Sequence, residues 1–339
     1  MDMEDQERER TEKMIEARRA RRAELRRKRI RNQRIALGVA VLVLVLIIVL
    51  IVRGCSADQS AGTANPDDTT NQTNDQTQVQ LPTTPNTTTV TLTAVGDIMV
   101  YDDQMEDALQ ADGSYDFSHY FTNVSNLLSE SDLTVGNLEA NFAGTPYEGR
   151  PNFRAPESLA TTLASVGFDV LQTANTYSIQ NGISGLTSTI RYITEAGMNP
   201  VGTYYTQTDK QTNNGVMLKE INGIKLAFIA YTKGVNNMYL PTGSEYCVDV
   251  LYDDYYSNYS QINQDAILAS IQSAKDLEAD VIIAMLHWGN EYEIAPTDSQ
   301  NEIANLMFNN GVDVILGSHS HLVGPMEQRA VTTTDGEEK

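Results

Sequence analysis

Cysteine is nearly absent from this 339-residue chain, histidine is scarce, and basic residues are outnumbered almost two to one. Two cysteines, Cys55 and Cys247, cannot build a disulfide framework, and their placement in a polar tail and an apolar-patterned region argues against pairing. The fold must therefore be held by a buried core. The 24 Lys and Arg stand against 45 Asp and Glu, a net charge of -21, which excludes the basic footprint of a nucleic-acid-binding protein. Only four histidines occur, and three of them fall in two short segments of the carboxyl-terminal third.

The charge is unevenly divided. Residues 1–34 hold 13 Lys or Arg and 8 Asp or Glu, leaving 11 basic and 37 acidic residues for the rest. A basic head on an acidic body is a topology signal. The run Ile35 to Val52 follows at once, 18 uncharged and almost wholly apolar residues bounded by Arg34 and Arg53. As a helix it would reach about 27 Å, close to the roughly 30 Å of a bilayer's hydrocarbon core. It is expected to be a single transmembrane signal anchor. The arginines before it place 1–34 in the cytoplasm and the main domain outside the cell. The long basic lead argues against a cleaved signal peptide, and Arg53 argues against lipid attachment at Cys55. Residues 53–88 are mostly Thr, Asn, Gln, Asp, Ser and Pro, too polar to offset their ordering entropy, and read as a disordered linker.

From residue 89 onward the pattern changes to that of an α/β domain of about 250 residues. Strands are expected over 90–95, 133–135, 168–173, 225–231, 281–286 and 312–316. Helical patterns lie between them over 103–110, 118–128, 156–166, 185–196, 262–277 and 298–309. Asn222-Gly223 between Leu218 and Lys225 reads as a hairpin turn, so the sheet arrangement should be mixed.

Chemistry-bearing residues follow the expected strands: Asp97 after the first, Asn137 and Glu139 after the second, Asn175 after the third. His287 follows the fifth and His319 and His321 the last. Ligands gather at the carboxyl ends of strands in open α/β sheets, so these residues should meet. Carboxylate, amide oxygen and imidazole together suit Zn, Mn or Fe, and there are enough of them for two divalent ions sharing a carboxylate. His119 lies in a polar helical pattern and reads as a surface residue.

The segments LTAVGDIMV (92–100), VGNLEANFAG (135–144), NFRAPESLATTLASVGFDVLQTAN (152–175), GMNPVGT (197–203), HWGNEYEIAPTDSQNEIA (287–304) and GVDVILGSHSHLVGPME (311–327) resemble the poly-γ-glutamate capsule-synthesis (CapA) family. That family is a branch of the calcineurin-like metallophosphoesterase fold. The resemblance implies a four-layer αββα sandwich, extracytoplasmic and membrane-tethered, that works on poly-γ-glutamate or a related anionic cell-surface polymer alongside polyglutamate synthase subunits. By position it implies that Asp97 and His321 hold one metal and Asn175, His287 and His319 a second. Glu139 would bridge them with Asn137 beside it. His287 and Tyr177 would take part in catalysis, with Arg154 and Glu291 on the rim.

Two departures stand out. The family's Ala-Asn-Asn-His is Ala174-Asn175-Thr176-Tyr177 here, so a phenol, weak as an acid near neutral pH, replaces the imidazole that would protonate a leaving group. This keeps open a non-catalytic role in binding the polymer or assembling the synthase. Val331 to Thr334 and Asp335-Gly336 read as a strand entering a turn without a return arm, and the family's later Ser-Leu-Gly-Asn-Phe segment is absent, so truncation of the domain is expected.

Overall fold

A computed structural model describes residues 87–339. The basic segment 1–34, the apolar run 35–52 and the linker up to residue 86 lie outside the described residues. Among the described residues no helix is long and apolar enough to cross a membrane.

Eight strands form two four-stranded sheets among these residues. The first holds β1 (Leu92–Ile98), β2 (Leu133–Leu138), β3 (Val170–Gln172) and β4 (Asn199–Val201), all parallel and in sequence order. The second holds β5 (Met217–Ile221), β6 (Ile224–Thr232), β7 (Val281–His287) and β8 (Val314–Ser318). Its β5–β6 pair is antiparallel and the rest parallel. Asn222 and Gly223 both take positive φ, 59° and 82°, the conformation a two-residue hairpin needs to match strand twist. The expected mixed sheet rests on this turn.

The two faces of β6 show how the layers stack. Leu226, Phe228 and Ala230 pack with Leu133, Val135, Val170 and Val201 of the first sheet, while Ala227, Ile229 and Tyr231 face the opposite way. That second face packs on α5 (Gln264–Asp276) and α6 (Asp298–Asn309) through Ile267, Ile271, Ile303 and Met307. The outer face of the first sheet, with Leu138 and Leu171, is covered by α1 (Asp102–Ala108), α2 (Ser125–Glu130), α3 (Ser158–Val166) and α4 (Gly182–Glu195). A strand buried on both faces needs apolar residues at nearly every position, which is why IKLAFIAYT and VIIAMLH read as continuous apolar runs. Each fully buried Phe or Leu in these layers contributes about 1.5–3 kcal/mol. This mixed α/β architecture with two sheets is consistent with a metallophosphoesterase-like domain.

Several boundaries differ from expectation. The helical pattern 118–128 splits into a single 3₁₀ turn, Ser118–Phe121, and α2. Strand β4 was hidden by Pro200 and its shortness. The carboxyl-terminal turn does have a return arm: Val331 and Lys339 exchange backbone hydrogen bonds of 2.9 Å, and Thr333 N–H donates to Glu337 O. His119 is exposed and pairs with Asp107 at 2.7 Å, in keeping with a surface role.

Candidate metal centre

Apart from β3, which stops one residue short at Gln172, the expected strands run a residue or more beyond their expected ends, so the key side chains sit on the last rungs of the sheets. Asp97, Asn137 and His287 are strand residues, and Glu139 and His319 follow β2 and β8 directly. In β1 the register with β2 slips between Ala94 and Asp97, so Val95 and Gly96 together oppose Gly136 alone. Such a bulge bends the strand and re-aims the next side chain. Asp97 then accepts the Asn137 amide at 2.8 Å and the His319 backbone N–H at 3.2 Å. His319 and His321 both adopt positive φ, 94° and 55°, a conformation that costs a non-glycine residue about 1 kcal/mol or more. The Asp97 bond and a 2.8 Å bond from Tyr292 N–H to Ser320 O hold this loop in place.

Glu139, His287 and His319 form a buried triad in which one ligand atom from each lies within 4.8 Å of the others. The His287 and His319 rings are 4.5 Å apart between centroids. His287 is fully buried. Its Nδ1 takes the Asn137 amide at 3.2 Å and lies 3.0 Å from Ser318 Oγ, while its Nε2 lies 2.9 Å from Thr176 Oγ1 and 3.2 Å from Glu139 Oε1. On the outer side, Asp97 Oδ2 and His321 Nδ1 are 3.8 Å apart, and the same aspartate's Oδ1 is 3.8 Å from His287 Nδ1.

Two atoms in this cluster are buried without a hydrogen-bond partner, Glu139 Oε2 and His319 Nδ1. A buried carboxylate oxygen and a buried imidazole nitrogen left unsatisfied are costly, and a cation satisfies both at once. Burial, with the charges of His287, Lys233 and His321 adding to it, pushes the His319 imidazole down to about 3, so it stays neutral and its lone pair stays free for a metal. The donor set of one carboxylate and two imidazoles is that of Zn, Mn or Fe. The residues present therefore fit a divalent ion.

Residues 91–334 match the family model described as bacterial capsule synthesis protein PGA_cap. The chain belongs to this family. It is 27% identical over 246 residues to the capsule biosynthesis protein CapA of Bacillus anthracis, covering 69% of this chain and 55% of that protein. It is 25% identical over 244 residues to the PGA biosynthesis protein CapA of Bacillus subtilis (strain 168), covering 69% and 58%. An uncharacterized protein, y4sH, of Sinorhizobium fredii is 31% identical over 121 residues, 33% of this chain and 24% of its own length. The chain thus spans a little over half the length of its Bacillus relatives.

For this PGA_cap member the remaining sequence-predicted residues fall into two groups. Asn137 and Asn175 are both buried and brought to the triad, where Asn175 Nδ2 donates to Asn137 Oδ1 at 3.1 Å and to Leu138 O at 2.7 Å. Asn175 Oδ1 accepts the Tyr177 backbone N–H at 3.1 Å, so in this arrangement both amides brace the strand ends. Tyr177, Arg154 and Glu291 are peripheral. The Tyr177 ring packs on Phe153 at 4.5 Å, and burial with the nearby Glu139 carboxylate holds its phenol above the ordinary 10. Arg154 Nε donates to Asn181 Oδ1 at 2.9 Å, and Glu291 is half exposed, 3.9 Å from His321 Nε2.

Three contributors escaped the sequence reading. Thr176 and Ser318 each place a hydroxyl on one nitrogen of His287; the Gly-Ser-His-Ser-His motif was the only signal for Ser318, and for Thr176 there was none. Lys233 follows β6 directly, its backbone N–H donating to His287 O at 2.8 Å and its Nζ to Gly289 O at 2.6 Å. Thr-Lys-Gly carries no signature that would have marked it.

Proposed function

We propose that this chain is a capsule-biosynthesis protein that acts on poly-γ-glutamate, or a related anionic cell-surface polymer, with a metal-dependent hydrolase-like site. In this reading residues 35–52 anchor it in the bacterial cell membrane, 1–34 face the cytoplasm, and the described domain works outside as a four-layer sandwich of metallophosphoesterase type, beside polyglutamate synthase subunits. The observation that supports it most is the convergence of buried Glu139, His287 and His319, with two unpartnered ligand atoms, at the strand ends. Two divalent ions are proposed, with Asn175, His287 and His319 serving one, Asp97 and His321 the other, and Glu139 shared. Divalent ions held there supply Lewis-acid polarisation of a substrate carbonyl or phosphoryl oxygen.

The chain's own residues then have separate tasks. Asn137 and Ser318 hold the His287 ring by its Nδ1, fixing its plane. The Asp97 carboxylate anchors the His319 loop through its backbone N–H. The test offers the purified full chain poly-γ-glutamate and a generic phosphodiester with added Mn or Zn. Shortening of the polymer is expected; no turnover of either substrate by metal-loaded protein refutes the enzymatic reading.

A second reading, a non-catalytic polymer-binding or assembly subunit, is favoured by Tyr177. With its phenol held above the ordinary range, it keeps its proton and donates poorly to a leaving group. Tyr177→His discriminates: a gain of polymer hydrolysis would mean that the site is otherwise competent, and its absence with metal bound favours assembly.

A further inference from the structure

Residues 87–339 carry 10 Lys or Arg against 33 Asp or Glu, so cations in this domain are surrounded by potential partners. Six of them close ion pairs with carboxylates, and Lys219 donates to Asn199 at the sheet edge. Among the described residues the other three, Arg150, Arg154 and Lys233, close no ion pair. Of these, Lys233 borders the metal centre, its backbone bonded to His287. Arg150 acts electrostatically on the Tyr177 phenol, and Arg154 adjoins Phe153, on which Tyr177 packs.

Lys233 is the most constrained of the three. It leaves β6 beside the last residue of β7, bonded through its backbone to His287. Its Nζ sits 5.0 Å from the centre of the Tyr259 ring and spends one donor on Gly289 O, which leaves ammonium donors over. Gly234, the next residue, has no room for a side chain: a Cβ there would lie 2.9 Å from the Tyr259 ring and 2.6 Å from Tyr255 O. The lysine stem is thus set in a tight notch between the tyrosine and the His287 loop. Its charge is felt at His319, while Glu291 and Glu293 pull on it from beyond ion-pair distance.

A half-buried ammonium without a carboxylate is expensive in so acidic a domain unless an anion arrives from outside. We propose that Lys233 is a substrate-anchoring residue whose ammonium binds a carboxylate of the anionic polymer at the mouth of the metal centre. The identity of the polymer rests on the function proposed above, but the anion-binding role does not. It also answers the electrostatic problem of an acidic domain receiving a polyanion, because a cation not consumed by an internal ion pair is placed beside the site.

The test measures binding of poly-γ-glutamate and, separately, of inorganic phosphate to the metal-loaded full chain and to its Lys233→Met and Lys233→Arg variants. A hydrogen bond to a charged group predicts an affinity loss of about ten- to a hundredfold in Lys233→Met. Recovery of most of that loss in Lys233→Arg, and a shallower salt dependence in Lys233→Met at unchanged metal content, are also expected. Loss of phosphate affinity in a protein that does not bind poly-γ-glutamate at all would support the anchoring role and remove the polymer reading. The proposal is overturned if neither anion binds, or if both bind Lys233→Met as tightly as the unaltered chain. It is overturned equally if Lys233→Met lowers only the melting temperature or the metal content, since the lysine would then be a strut for the Gly289 loop.

Discussion

Replacing Glu139 by Gln should change stability in opposite directions with and without metal. Glu139 is about 1% exposed; its Oε1 lies 3.2 Å from His287 Nε2 and its Oε2 has no partner. Without a cation, that buried acceptor carries an unmet desolvation cost of about 1–3 kcal/mol, more while charged. An isosteric amide removes the charge at little change in volume, so Glu139→Gln should stabilise the metal-free protein by about 1–3 kcal/mol. For a domain of this size each kcal/mol moves the melting point by about 2–4 °C, giving a rise of roughly 5 °C in chelator. With metal at a hundred times its dissociation constant the unaltered protein gains about 2.7 kcal/mol, and the variant, lacking its carboxylate ligand, should lose most of that gain. Thermal unfolding of both full chains in chelator and in excess Mn or Zn reads the crossing directly. If Glu139→Gln melts lower in chelator with its circular dichroism unchanged, or keeps the full metal-induced shift, the carboxylate is not a metal ligand held at a cost.

The depressed His319 makes the metal-free protein acid-sensitive: the folded imidazole stays neutral to about pH 3, whereas the unfolded one takes a proton near 6.5. Stability contributed by the neutral ring is present above pH 6.5 and falls by about 1.4 kcal/mol per pH unit below it. Denaturant titrations at pH 7 and 5 should show a loss about 2 kcal/mol smaller in His319→Gln, and equal losses would contradict the assignment. Lys210 pairs with the buried Asp249 at 2.5 Å, so Lys210→Met should destabilise by about 3 kcal/mol or more, and Lys210→Met with Asp249→Asn should recover most of it. A double variant no more stable than the single one would mean that the loss lies in the lysine stem. Cys247 is buried and its thiol pushed up to about 11, so peptide mapping should find it alkylated at pH 8 only after unfolding.

The sequence by itself determined the ingredients. Period and turn chemistry are local, so the runs at β6 and β7, the Asn222-Gly223 hairpin and the helix beginning at Asp298 were readable as written. The strand-end positions of Asp97, Glu139, His287 and His319 were legible for the same reason: a β-run followed by Gly, His or a carboxylate marks a strand leaving its sheet. What the tertiary structure decided is which of those residues meet. His287 reaches Glu139 and Thr176 only because the two sheets stack through the Phe228 and Val135 layer, joining residues more than a hundred positions apart, and a residue's burial does not say what it is buried against. The bulge at Val95-Gly96 turns Asp97 toward the His319 backbone, and a hydrogen bond from Asn175 to Asn137 ties the ends of β2 and β3 together beside the triad. Lys233 was illegible because its neighbours in sequence are unremarkable; its meaning comes from the carboxylates it does not meet, which only the packed domain can define.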